Sequence, residues 1–171
     1  MVSYFIVDTG ILLSNWSMTQ PESTLLTTRR IANEIRNRPS IQRLENLLST
    51  DRIVIEEVEE KWIELARVSA RETGDLSVLS PSDLELLGLV IKKHREGFQF
   101  TLASMDFAVL NVASHIGVGI LNPMGQMKHR IEWAMKCPAC GHRSDNTRML
   151  ECDICGTRMK RIAKKTKRLE Y

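Results

Sequence analysis

The stretch from Val2 to Val7 is apolar at every position but Ser3, and it ends abruptly in Asp8, followed by Thr9 and Gly10. A run without polar alternation suits a strand covered on both faces, the condition of a strand inside a parallel sheet. Such a strand needs parallel neighbours and crossover helices, so it commits the chain to an α/β architecture. It also delivers Asp8 to the carboxyl edge of the sheet, where open α/β folds hold their ligands.

The rest of the chain supplies what this strand requires. A short helix is expected from Ile11 to Trp16, a strand over Thr24–Thr27, and a helix from Arg29 to about Asn37, capped by Thr28 and ended by Pro39. Ser40 is expected to cap a second helix carrying Ile41, Leu44, Leu47 and Leu48. A strand over Arg52–Ile55 leads into a long helix expected to begin at Glu56, bearing Val58, Trp62, Leu65 and Ala66 on one face and stopping at Gly74. The glutamates Glu56, Glu57, Glu59 and Glu60 read as a solvated helix start in preference to a metal cluster, because consecutive helical positions point in different directions. Ser80-Pro81-Ser82-Asp83 has the form of a capped helix start, and that helix runs to about Glu96. A strand over Phe98–Ala103, a helix from Ser104-Met105-Asp106 to His115, and a strand over Val118–Leu121 complete the alternation.

With 43% apolar residues the chain can build a core, and with 5% aromatics that core must be mainly aliphatic. The longest apolar run is far short of the roughly 18 to 20 residues that span a bilayer, and no charged segment precedes a hydrophobic one at the start; the expectation is a cytoplasmic protein without a membrane partner. The net charge of +3 divides unevenly. Residues 1–127 hold 12 Lys/Arg against 16 Asp/Glu, whereas residues 128–171 hold 12 against 5. A basic end on a mildly acidic body points to a polyanionic partner, nucleic acid being the commonest.

All four cysteines lie in that basic end. Cys137-Pro-Ala-Cys140 and Cys152-Asp-Ile-Cys155 are two C-x2-C pairs, each followed by glycine. Two residues between thiolates let a tight turn present both sulfurs to one ion, and four thiolates suit one structural Zn²⁺ in a closed tetrahedral site. Beyond them Arg158, Lys160, Arg161, Lys164, Lys165, Lys167 and Arg168 form a basic run suited to RNA phosphates, the alternative being a merely solvated tail.

Four acidic residues occupy positions where an α/β sheet collects a site: Asp8 after the first strand, Glu34 in an early helix, and Asp83 and Asp106 near helix starts. Taken singly, Asp83 and Asp106 could be caps and Glu34 exposed surface. As a set, in Val7-Asp8-Thr9, Ile31-Ala32-Asn33-Glu34, Leu79-Ser80-Pro81-Ser82-Asp83 and Ser104-Met105-Asp106, they resemble the pattern of PIN-domain nucleases. A PIN-like domain followed by a zinc ribbon and a basic tail is similar, in particular, to the Nob family of endonucleases. Gly10, where PIN domains often carry Asn or Ser, and Met105, where the Nob family often carries a second Asp, depart from the pattern.

The resemblance implies an α/β fold, a PIN-like parallel sheet sandwiched by helices, followed by a small zinc ribbon. The expected boundaries are 1–123 for the nuclease domain, 124–136 for a linker, 137–158 for the ribbon and 159–171 for a basic tail. It implies a divalent-metal-dependent endoribonuclease, with Asp8, Glu34, Asp83 and Asp106 catalytic, and Asp8, Asp83 and Asp106 holding Mg²⁺ or Mn²⁺. The implied substrate is the 3′ end of the small-subunit pre-rRNA within a pre-ribosomal particle. Two alternatives stay open: a non-catalytic RNA-binding assembly factor, and a toxin-type PIN ribonuclease acting on transfer or messenger RNA. Thr9, Ser104 and Asn111 are secondary candidates for orienting carboxylates or phosphate, while His94 and His115 fall near helix ends, where solvation or capping is the expected role.

Overall fold

The first apolar run becomes strand β1, Tyr4–Val7, the middle of five parallel strands in a computed structural model that describes residues 3–169. Val2, expected at the start of that strand, lies outside the described residues, as do Glu170 and Tyr171 of the expected tail. The sheet also contains β2 (Thr24–Thr28), β3 (Ile53–Glu56), β4 (Thr101–Ala103) and β5 (Gly119–Leu121), in the order β3-β2-β1-β4-β5. All four pairings are parallel. Because β1 has β2 on one side and β4 on the other, the order reverses at β1, and a crevice opens between the carboxyl ends of β1 and β4.

The helices are α1 (Thr9–Leu13), α2 (Arg29–Glu34), α3 (Arg38–Ser49), α4 (Glu60–Thr73), α5 (Pro81–Arg95) and α6 (Phe107–Ile116). Helix α5 is the centre of the core: Leu84, Leu86, Leu87, Leu89, Val90 and Ile91 are buried and cover successive directions round the helix. Gly88 lets α4 approach α5 closely, since a Cβ there would lie 3.2 Å from the backbone of Trp62 and Ile63.

Two helix boundaries differ from expectation. Pro39 does not end α2. That helix stops at Glu34, and Pro39 opens α3 in its first turn, where a missing N–H costs nothing, with Asn37 and not Ser40 capping it. Glu56 does not begin α4 either. It extends β3, and its carboxylate is taken by Lys92 at 3.0 Å and Lys93 at 2.5 Å, both on α5. Of the neighbouring glutamates, Glu57 pairs with Arg29, Glu59 with Lys61 and Glu60 with Arg67, so the acidic run is dispersed into ion pairs.

The segment expected as a linker and the segment expected as a tail find each other. Strand β6 (His129–Lys136) pairs antiparallel with β8 (Lys160–Arg168), and the short β7 (Arg143–Ser144) lies on its other side. The pairing has a bulge, since Glu132 opposes Lys165 and Trp133 opposes Ala163, leaving Lys164 as the extra residue. From Lys160 to Arg168 the basic run is therefore an ordered strand of the ribbon, while Arg158 forms a β-bridge with Glu151. Among the described residues no helix is long and apolar enough to cross a membrane.

Candidate active site and metal centre

All four sequence-selected carboxylates meet in the crevice. Asp8, Glu34, Asp83 and Asp106 line one open cleft of about 620 Å³ with Thr9, Gly10, Met105 and Phe107. A larger hollow of about 940 Å³ lies alongside and shares Glu34, but Arg29 and Arg30 within it are already paired to Glu57 and Glu85.

Each carboxylate is held by the chain's local folding. Asp8 caps α1 through Ile11 N–H at 2.7 Å, and its other oxygen accepts from the Ser104 hydroxyl and, at 3.2 Å, from Met105 N–H. The loops after β1 and β4 are thereby tied together across the crevice. Glu34 accepts from the Thr9 hydroxyl at 2.7 Å and from the Ser82 hydroxyl, which joins α2 to the start of α5. Asp83 completes a capping box with Ser80, and Asp106 caps α6 through Ala108 N–H at 2.7 Å. Capping and site formation are thus the same contacts: the caps use one oxygen each of Asp83 and Asp106, and the other oxygen accepts no hydrogen bond among the described residues.

Burial pushes the Asp8 carboxyl above its ordinary value of 3.8, against hydrogen bonds from Ser104, Ile11 and Met105 that lower it, and the charge of Asp83 raises it further. A buried carboxylate beside other carboxylates is a group whose ionised form a cation would relieve. The carboxylate oxygens are nevertheless spread round an open cleft; among the described residues only the cysteines bring three or more ligand atoms within 4.8 Å of one another. An open oxygen-lined site suits a hard divalent ion that retains several waters.

Thr9 and Ser104, the secondary candidates, both touch site carboxylates. Asn111 does not: it is buried elsewhere on α6, as described below. His115 binds Glu72 at 2.9 Å and lies outside the cleft. The contact of Ser82 with Glu34 is not evident from the four-carboxylate pattern, although a hydroxyl two residues after an N-cap and beside Asp83 is a signal for it.

The cysteines form a second centre. Cys137 and Cys155 sulfurs are 3.4 Å apart and those of Cys140 and Cys152 3.6 Å, too far for disulfides and close to the edge of about 3.8 Å expected for a tetrahedron of 2.3 Å metal–sulfur bonds. The two knuckles fold alike. Gly141 N–H returns to Cys137 O and Gly156 N–H to Cys152 O, at φ of +76° and +71°, where glycine is unstrained. Contacts with the Thr157 hydroxyl, 3.4 Å away, and with its backbone, helped by the neighbouring sulfurs, pull Cys155 down to about 6. Four sulfurs gathered in one cage are the donor set of a closed metal site.

Asn111 joins the two centres. Its Nδ2 donates to Asp75 Oδ2 and to Ile131 O, both at 2.6 Å, and its Oδ1 accepts from Ile131 N–H at 2.8 Å. On the other side of Asp75, Arg161 binds the second carboxylate oxygen at 2.6 Å and Gly74 O at 3.0 Å, with its guanidinium 4.3 Å from the Trp133 ring centroid. Arg161 therefore departs from the expectation that the whole basic run is free for RNA: its Nη2 is committed to the junction. Lys164 pairs with Asp145 and Lys165 with Glu132, while Arg158, Lys160, Lys167 and Arg168 form no ion pair among the described residues.

A parallel sheet reversing at a strand that ends in a carboxylate, with three more carboxylates gathered there, defines a nuclease-type domain of the PIN class. A family model described as "PIN domain of ribonuclease" matches residues 5–92, which include Asp8, Glu34 and Asp83, and the chain belongs to this family of PIN-domain ribonucleases. The chain is similar to Endoribonuclease Nob1 of Archaeoglobus fulgidus, 30% identical over 106 residues, a match covering 60% of this chain and 61% of that relative. It is also similar to Endoribonuclease Nob1 of Pyrococcus abyssi, 29% identical over 140 residues, covering 81% of this chain and 84% of the relative. Ribonuclease VapC1 of Thermoplasma acidophilum is 26% identical over 164 residues, covering 95% of this chain and 80% of the relative.

Proposed function

We propose that this protein is a divalent-cation-dependent endoribonuclease that trims the 3′ end of the small-subunit ribosomal RNA precursor in the cytoplasm, on a pre-ribosomal particle. The observation that carries the reading is the meeting of four carboxylates in one cleft of a chain that also bears a four-cysteine ribbon with a basic strand. The relatives named Nob1 support the narrower assignment.

In this reading Asp8, Asp83 and Asp106 hold Mg²⁺ or Mn²⁺, and Glu34, fixed by Thr9 and Ser82, orients the attacking water. The cation supplies polarisation of the phosphate and a water of lowered pKa. Ser104 and the Met105 N–H keep the Asp8 carboxylate turned to its place, and Gly10 leaves the approach to Asp8 open. Cys137, Cys140, Cys152 and Cys155 hold one Zn²⁺, which fixes the ribbon. Phosphates bind Arg158, Lys160, Lys167 and Arg168, with Lys164 and Lys165 available when RNA competes for them. Arg161 acts through the junction.

Wild type should cleave a small-subunit rRNA 3′-end substrate with Mn²⁺, and Asp106→Asn should lose at least about a hundredfold in rate. Full activity of that variant would sink the assignment. The match to Ribonuclease VapC1, which covers 95% of this chain, favours a second reading as a PIN ribonuclease outside the Nob1 group, for which transfer or messenger RNA is the substrate to test. Mapping cut ends in total RNA separates the two, and RNA binding without cleavage under any divalent ion would leave only an assembly factor.

A further inference from the structure

We infer that the cleft between α6 and β6 is a nucleobase subsite, in which Phe107 stacks on an unpaired RNA base next to the scissile phosphate; this rests on the endoribonuclease reading. Phe107 follows Asp106 directly and is the first residue of α6. It is 60% exposed, an unusual state for a phenylalanine beside carboxylates, and it takes no part in the core cluster. It lines two cavities at once: the carboxylate cleft, and a second cleft of about 420 Å³ enclosed by Ala108, Met127, Ile131 and Trp133, with Lys128 and His129 exposed at its rim. That volume falls within the range of small-molecule sites.

The chemistry of the second cleft selects its occupant. The buried polar groups among its lining residues, the Asn111 carboxamide and the Asp75 carboxylate, are already bonded to each other, to Ile131 backbone and to Arg161, and the Gln126 carboxamide lies exposed at the edge. What they leave is a largely apolar slot beside an exposed aromatic ring, with the Lys128 amine and the His129 imidazole exposed at the mouth. A flat aromatic group attached to a phosphate backbone fits all three features. Single-stranded RNA offers such a group at every nucleotide, and stacking on phenylalanine tolerates any base. Because Phe107 belongs to both cavities, a base in the slot places its own phosphodiester within the carboxylate cleft.

The test uses the full chain, loaded with zinc, and a single-stranded RNA oligonucleotide carrying one abasic nucleotide at each position in turn around the cut. Binding is followed by fluorescence anisotropy and turnover by cleavage. Phe107→Ala should weaken binding and raise KM by roughly five- to a hundredfold while kcat changes much less, and Phe107→Trp should restore binding. One abasic position should impose a similar loss on wild type and little further loss on Phe107→Ala. Equal abasic penalties in both proteins, or unchanged affinity in Phe107→Ala, would overturn the inference. Since binding is read apart from turnover, a wild type that binds but never cleaves removes the endoribonuclease reading and still decides whether the slot takes a base.

Discussion

Asp8→Asn should change the response to cations far more than it changes the fold. Asn keeps an oxygen for Ile11 N–H, while its amide nitrogen replaces the oxygen that accepts from Ser104 and Met105. The Ser104 hydroxyl can turn round and accept, but Met105 N–H loses its partner, a cost of about 1 to 3 kcal/mol. Against that, the variant removes a charge whose burial already disfavours ionisation. These effects oppose each other, so without cation the two proteins should differ by no more than about 1 to 2 kcal/mol. With a cation at a hundred times its dissociation constant, wild type should gain about 2.7 kcal/mol, or about 5 to 10 °C in Tm for a chain of this length. The assay is thermal unfolding with and without Mn²⁺, at constant zinc, from pH 4 to 8.

The pH dependence gives an independent check. The folded Asp8 pKa is raised, so its contribution to the cation-free protein is fully present below the ordinary 3.8 and is lost as pH rises through the folded value. The variant lacks this loss, and its stability relative to wild type should improve over that interval. The Mn²⁺ gain of wild type has the opposite trend, fading as pH falls and protons displace the ion. An equal Mn²⁺ shift in Asp8→Asn at neutral pH would refute the assignment of Asp8 to a cation.

Asn111→Ala strips two bonds from Ile131 and one from Asp75; it should cost about 2 to 4 kcal/mol in urea unfolding, and hydrogen exchange at the Ile131 amide should speed up sharply. Retained Ile131 protection would show that the junction is held by other contacts. For Glu56, burial alone would raise the carboxyl, but Lys93 and Lys92 outweigh it and hold it below its ordinary 4.5. Its contribution is therefore present above pH 4.5 and lost as pH falls through the lower folded value, so Glu56→Gln should cost about 1 to 3 kcal/mol near neutrality and progressively less in acid. A constant difference across pH would contradict the ion-pair account.

What could be read from the sequence follows the range of the interactions involved. The first strand and Asp8 were legible because an unbroken apolar run reports two-sided burial by itself. The Ser80 cap was legible because all its partners lie within three residues. Pro39 reads as a helix end, but proline also opens helices, and the extended backbone of Asn37 makes it the first turn of α3. Glu56 reads as a helix start because its partners, Lys92 and Lys93, are remote in sequence. The β6–β8 pairing was hidden for the same reason and for another: a lysine-rich stretch has low strand propensity, and it becomes a strand only when His129 to Lys136 lies beside it. Asn111 did leave a trace, a polar residue among the buried Val109, Leu110, Val112 and Ala113 of α6, which signals a partner the helix itself cannot provide.

That helix carries Asp106 and Phe107 at one end and Asn111 five residues further on, a rise of about 7.5 Å along a rigid rod. With Asn111 bolted to β6, the basic strand and the carboxylates stand at a fixed separation. If the strand grips RNA as proposed, the RNA would be measured off against the cleft as against a ruler, and the cut would fall a set number of nucleotides from the grip. Site choice would then depend on length along the strand as much as on the identity of the bases at the cut.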